Sequence, residues 1–243
     1  MNAYGSLAGF YDELTRDVAY EDFADYYERL FAADGGTFRL LLDLCCGTGT
    51  LACLMAERGY EMIAVDASED MLAEGMDKSC DLPEGCIRPM FICQQAAGLD
   101  LYGTVDAAYS SLDSFSYIPP EQLPEIFRRL RLFIRPGGIL VFDIRTPAFL
   151  QRMDGEISVD ETEDVLCLWR GSYDQNCGAL RYGMDIFYCE DEYWMRASEE
   201  HVEYAHEPEA LLALLEQHGF AAEIRTDGPQ GGPDRVFLAA RRI

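Results

Sequence analysis

The sequence predicts an α/β fold: a mostly parallel sheet covered by helices on both faces, with a small antiparallel β insertion near its end. Three observations predict it. Five apolar runs, starting near Phe38 and then at about 61–66, 87–94, 105–111 and 139–143, alternate with helical patterns, the arrangement that parallel sheets require. From about 157 to 205 the pattern changes to strand-like runs, Val165-Leu166-Cys167-Leu168-Trp169 and Met184-Asp185-Ile186-Phe187-Tyr188, parted by Asp174-Gln175-Asn176-Cys177-Gly178 and Glu190-Asp191-Glu192. A last pair of strands, near 220–226 and 235–240, is joined by Gly228-Pro229-Gln230-Gly231-Gly232-Pro233.

In chain order, Phe10, Tyr11, Leu14, Phe23, Tyr26, Tyr27, Leu30 and Phe31 recur at helical spacing and predict two helices before the sheet, ended by Asp34-Gly35-Gly36. A helix at about 50–58 follows the first strand, and Ser68 is placed to cap the next. Ser111-Leu112-Asp113-Ser114 leaves the fourth strand and leads to a helix over about 120–134. Arg135-Pro136-Gly137-Gly138 reads as the turn into the fifth strand. The insertion reads as three strands, and a helix at about 208–218 precedes the closing pair. The expected division is residues 1–34 as a helical lid, 35–156 with 206–243 as the main domain, and 157–205 as a β insertion that covers the substrate.

The 243 residues suffice for one large core, and the net charge of −25 excludes partners held by basic surface. Nucleic acid and anionic membranes are therefore not expected. Arg128, Arg129, Arg131 and Arg135 fall close together and read as a solvated helix face near its C-terminus. Nine cysteines, without a signal peptide, a C-x-x-C pair or a His-Cys cluster, point to a reduced cytoplasmic protein without a metal site. No apolar run reaches the roughly 20 residues of a membrane span.

The stretch Leu40-Leu41-Leu42-Asp43-Leu44-Cys45-Cys46-Gly47-Thr48-Gly49-Thr50, followed by Ala64-Val65-Asp66, has the order of a nucleotide-cofactor cradle: strand, tight Gly turn, helix, and an acid about twenty residues on to grip a ribose diol. Asp43, at the end of the strand, would repel a pyrophosphate and attract a cation. Here the chain resembles the class I S-adenosylmethionine-dependent methyltransferases, with Cys45 standing at the first glycine of their motif. The resemblance covers roughly 35–150 and 207–243 and implies a Rossmann-like, seven-stranded sheet finished by the closing pair. Phe10-Tyr11-Asp12-Glu13-Leu14 and Asp17-Val18-Ala19-Tyr20 resemble the lid of a bacterial small-methyltransferase subgroup.

The resemblance implies roles for particular residues. Asp43 would neutralise the amino group of S-adenosylmethionine, the backbone of Cys45, Gly47 and Gly49 would contact its methionine and ribose, Asp66 would take both ribose hydroxyls, and Ala67 would lie against the adenine. Gln95, followed by Ala96, stands where an Asp usually meets the adenine amino group, and its amide oxygen can accept the same bond. Ser111 and Leu112 would border the methyl group, with Asp113 as the carboxylate for orienting or deprotonating an acceptor. Tyr11, Tyr20 and Tyr117 could close over the sulfonium, and His201 or His206 could supply a base. In-line displacement at an activated methyl needs alignment and exclusion of water, with no metal. The expected activity is methyl transfer to a small molecule by a monomer or homodimer. Two alternatives stand beside it. Gly47-Thr48-Gly49-Thr50-Leu51-Ala52 also has the spacing of an NAD(P)-dependent oxidoreductase, and the fold alone would suit a non-catalytic cofactor-sensing protein.

Overall fold

The computed structural model describes residues 7–33, 37–190 and 193–243. Asp34-Gly35-Gly36 and the bend at 191–192 lie outside them. Helices α1 (Ala8–Leu14) and α2 (Tyr20–Ala32) precede β1 (Leu40–Leu44), α3 (Thr50–Glu57), β2 (Glu61–Asp66), α4 (Glu69–Ser79), β3 (Met90–Cys93) and β4 (Val105–Ser110). Then come α5 (Leu123–Phe133), β5 (Ile134–Arg145), α6 (Pro147–Arg152), β6 (Ile157–Glu161), β7 (Val165–Asp174), β8 (Ala179–Glu190), β9 (Tyr193–Tyr204), α7 (Pro208–Gln217), β10 (Phe220–Arg225) and β11 (Arg235–Arg242).

Seven strands form one sheet in the order β10-β11-β5-β4-β1-β2-β3, parallel except for β11, which runs antiparallel to both of its neighbours. Leu41, Leu42 and Leu44 of β1 are fully buried, as a central parallel strand covered on both sides requires. One face takes α2, whose Phe23, Tyr27 and Phe31 join Leu41, Tyr109 and Phe237. The other takes α5, whose Ile126, Phe127 and Leu130 join Leu42, Phe142 and Leu238. The chain leaves β1 for β2 on one side and reaches β4 on the other, so a crevice opens at the carboxyl ends of β1 and β4.

Four expectations are corrected. The insertion has four strands, in the order β6-β7-β8-β9, because Ile157–Glu161 pairs with β7. Arg135-Pro136-Gly137-Gly138 loops out within β5, between Ile134 paired to Val105 and Ile139 paired to Ala107. Gly137 has φ +76°, and a Cβ on Gly138 would meet Asp106 O at 2.5 Å, so glycine is required at both. The helix over 120–134 starts as a 3-10 turn at Pro120–Gln122, and the short helix α6 was not predicted. The arginine face is tied down: Arg128 and Arg129 each bond Glu125 at 2.7 Å, and Arg135 bonds Asp106 at 2.6 Å.

Helix α1 is packed on the second sheet. Its Leu14, with the preceding Leu7, lies against Val165, Cys167, Met184 and Ile186. Among the described residues no helix is long and apolar enough to cross a membrane.

Candidate functional site

A cavity of about 500 Å³ opens at the carboxyl ends of β1, β2 and β4, roofed by α1 and one end of β9. Ligand cavities are commonly this large. Tyr11, Tyr20, Asp43, Cys45, Gly47, Asp66, Ala67, Gln95, Ala96, Ser111, Leu112, Tyr117 and His201 all line it. Residues distant in sequence are thereby brought to one place.

Three residues expected here are not. Gly49 does not line the cavity: it sits with φ +66° before α3, where a Cβ would fall 2.6 Å from the Phe91 ring. Asp113 also lies off the wall. Its carboxylate is held by Arg235 at 2.7 Å and Arg145 at 3.5 Å, so it anchors its loop and is turned away from an acceptor. His206 is buried elsewhere, its Nε2–H donated to Ile118 O at 3.0 Å, and burial lowers its pKa.

Asp43 is the electrostatic centre. It is 3% exposed, and burial, opposed by the Tyr109 hydroxyl and reinforced by nearby Asp66, pushes its carboxyl up to about 8. No Lys or Arg lines the cavity. A buried acid in that setting is completed by a cation from the ligand, whereas a diphosphate would find two acids and no basic side chain. Asp66 clamps the glycine turn: its Oδ2 accepts Gly47 N–H and its Oδ1 accepts Ser68 N–H, both at 2.9 Å. A carboxylate oxygen has further lone pairs, so the same group can still accept from a diol. Ser68 caps α4 by accepting Met71 N–H.

Cys45 has φ +61°, the left-handed conformation for which glycine is suited, and its side chain packs against the core. Cys45→Gly is therefore expected to change stability by less than about 1 kcal/mol, strain relief offsetting lost packing. Cys45→Val, β-branched at positive φ, should cost about 2 kcal/mol. Urea unfolding of both variants checks the difference.

The sequence reading missed two groups. The first is Glu199, whose Oε2 lies 3.0 Å from His201 Nε2 and whose Oε1 accepts Leu7 N–H at 2.9 Å. The alternation Glu199-x-His201 on a strand puts both on one face, a signal that was present. The second is a latch. Lys78 Nζ meets Asp12 Oδ2 at 2.6 Å and Thr48 O at 3.2 Å, and Asp12 Oδ1 accepts from Thr48 Oγ1 at 2.6 Å. The latch thus ties α1, the roof of the cavity, to the cofactor turn. Nothing local in the sequence pairs positions 12 and 78.

Lys78→Met is expected to cost under about 1 kcal/mol in stability, because the pair is partly exposed. The same loss, expressed only in the closed roof, would speed release of bound S-adenosylhomocysteine about threefold to fivefold. Hydrogen exchange at 8–14 and stopped-flow release measure the two effects.

With this geometry the comparisons with known proteins agree. Residues 41–138 match a family described as "Methyltransferase domain". YqeM of Bacillus subtilis (strain 168), whose own methyltransferase name is provisional, is 26% identical over 98% of this chain and 97% of that protein. An S-adenosylmethionine-dependent methyltransferase from Clostridium acetobutylicum ATCC 824 shares the fold with a TM-score of 0.85, at 24% identity over 99% of both chains. The sugar N-methyltransferase KedS8 from Streptoalloteichus sp ATCC 53650 superposes with a TM-score of 0.80, at 23% identity over 94% of this chain and 90% of that one. The oxidoreductase and cofactor-sensing alternatives gain no support from these matches. Glycine turn, buried acid, strand order and relatives together place the chain in the class I S-adenosylmethionine-dependent methyltransferases.

Proposed function

We propose that this chain transfers the methyl group of S-adenosylmethionine to the amine nitrogen of a small molecule. The observation that carries the acceptor class is the charge of the cavity wall. Its ionisable lining includes Asp43, Asp66, Glu200 and His201 and no Lys or Arg, so an acceptor bearing carboxylate or phosphate has no cationic partner. An amine has several acidic ones. The fold shared with a sugar N-methyltransferase supports this by analogy.

The bound cofactor supplies a methyl already activated by positive sulfur. The work left to the chain is to bind, orient and keep out water. Asp43 would hold the cofactor's ammonium, and Asp66 its ribose hydroxyls. Ala67, Gln95 and Ala96 would border the adenine. Gly47 and the backbone at Cys45 would let the ligand approach the turn. Tyr11 and Tyr20, from the roof, would shield the sulfonium, whose charge favours aromatic faces. Ser111 and Leu112 would flank the methyl, and His201, fixed by Glu199, would orient the acceptor nitrogen. Residues 1–34 and 157–205 act in this reading as the lid that selects the acceptor.

The test incubates the chain with radiolabelled cofactor and matched panels of small amines, hydroxy acids and phenols. Label is expected in amines alone. Label confined to acids or phenols would refute the acceptor class, and calorimetry showing no cofactor binding would refute the whole reading.

A further inference from the structure

Glu203 is buried on the same face of β9 as Glu199 and His201, because side chains two apart on a strand share a face. It is 3% exposed, and its Oε2 has no hydrogen-bond partner among the described residues. A buried carboxyl left partly unpaired is unfavourable unless it has a task, and the roles above give it none. The Tyr117 hydroxyl donates to this carboxyl. Tyr117 is in turn a wall of the cavity, its ring edge-on to His201 with centroids 6.0 Å apart.

Resting on the reading that the acceptor is an amine, we propose that Glu203 is a positioning residue that receives, through the Tyr117 hydroxyl, the proton given up by the acceptor nitrogen. The nitrogen lone pair forms the new N–C bond while the C–S bond breaks and its electrons remain on sulfur. The methylated ammonium then passes its proton to Tyr117 Oη as Tyr117 passes its own to the Glu203 carboxylate. Tyr117 ends as it began, and Glu203 later loses the proton to solvent.

The surroundings suit that task. Burial and Asp113 hold the Glu203 carboxyl well above the usual carboxylate range, against the opposing pull of Tyr117, Arg145 and Arg235. Tyr182 faces it from β8, where Glu203 and burial hold the phenol neutral. His201 and Glu199 complete the ionisable groups on its own strand face. A carboxylate that binds protons this firmly is a better acceptor than an exposed one, and it is available once ionised. Turnover is therefore expected to rise with pH above neutrality.

The experiment compares native chain, Glu203→Gln and Tyr117→Phe in kcat against pH on the best amine. Both variants are expected to lose about tenfold or more in kcat and to lose the rising limb, with KM for the amine and cofactor affinity nearly unchanged. The double variant should be no worse than either single one. Glu203→Asp should restore part of the limb. A Glu203→Gln profile parallel to native and within about twofold overturns the proposal.

Infrared titration of the S-adenosylhomocysteine complex separates this from the acceptor reading. A protonated-carboxyl band that titrates above neutrality, is absent in Glu203→Gln and shifts in Tyr117→Phe upholds the proton couple even where no amine is methylated. Absence of that band refutes the couple even where amines are methylated.

Discussion

Asp43→Asn is expected to yield a chain that is more stable when empty and about a hundredfold weaker for S-adenosylmethionine. The loss follows from removing a charge-assisted hydrogen bond to an ammonium that stays buried, about 2–3 kcal/mol. The gain follows from linkage. Burial raises the folded pKa of Asp43 to about 8, while an unfolded Asp titrates near 3.9. Between those values the folded state holds a proton that the unfolded state has released, so native stability falls as pH rises. Below the unfolded value both states are protonated and the substitution is neutral. Its benefit should grow from about pH 4 upward and level off above about 8, reaching about 2 kcal/mol or more, or about 5 °C in Tm. Melting curves at about pH 5 and 9 test the slope, and calorimetry tests the affinity. An Asn variant equally stable at both pH values relative to native, or binding with native affinity, contradicts the role of this acid. The same linkage predicts proton release when the cofactor binds to the native chain below about pH 8, because the arriving cation favours the ionised carboxyl.

Much of this was legible because the strongest signals are local. The triplet Leu40-Leu41-Leu42 before Asp43 marks a strand buried on both faces, and Ser68 marks the start of α4 within one residue. What was not legible depends on long-range pairing. Ile157–Glu161 exposes Ile157 and Val159, so its apolar pattern is that of an edge and gave no fourth strand. The Arg-Pro-Gly-Gly sequence signals a turn equally well whether the chain reverses or only bulges; that Ile134 already pairs with Val105 is a fact of tertiary register. At the site, the cofactor turn was readable from spacing. Asp113 was misjudged because its neighbour in space, Arg235, is 122 residues away. An acid beside a predicted catalytic loop looks available until its counter-charge is known.

Arg235→Met should be the most damaging single substitution outside the cavity. Arg235 is 1% exposed and forks between two acids, Nη1 to Asp143 Oδ2 and Nη2 to Asp113 Oδ1, while Asp143 Oδ2 also accepts Asp113 N–H at 2.9 Å. Burial raises the Asp143 carboxyl to about 6 even with the guanidinium present. Removing the cation strands a fully buried carboxylate, which costs about 3–5 kcal/mol, and the midpoint of urea unfolding should fall accordingly. Arg235→Lys should recover little, since a point charge cannot bond two carboxylates at once. Adding Asp143→Asn to Arg235→Met should recover about half of the loss, because the stranded charge then disappears. Catalysis is expected to suffer even where folding is recovered. Leu112 and Asp113 both hold positive φ, at 56° and 53°, and Leu112 lines the cavity. Two consecutive left-handed residues that are not glycine persist only where tertiary bonds impose them. The Asp113 bonds to Arg235 and Arg145 are those bonds, so the double variant should keep its cofactor affinity and lose kcat. A double variant with native kcat would show that the loop after β4 holds its shape without the buried arginine.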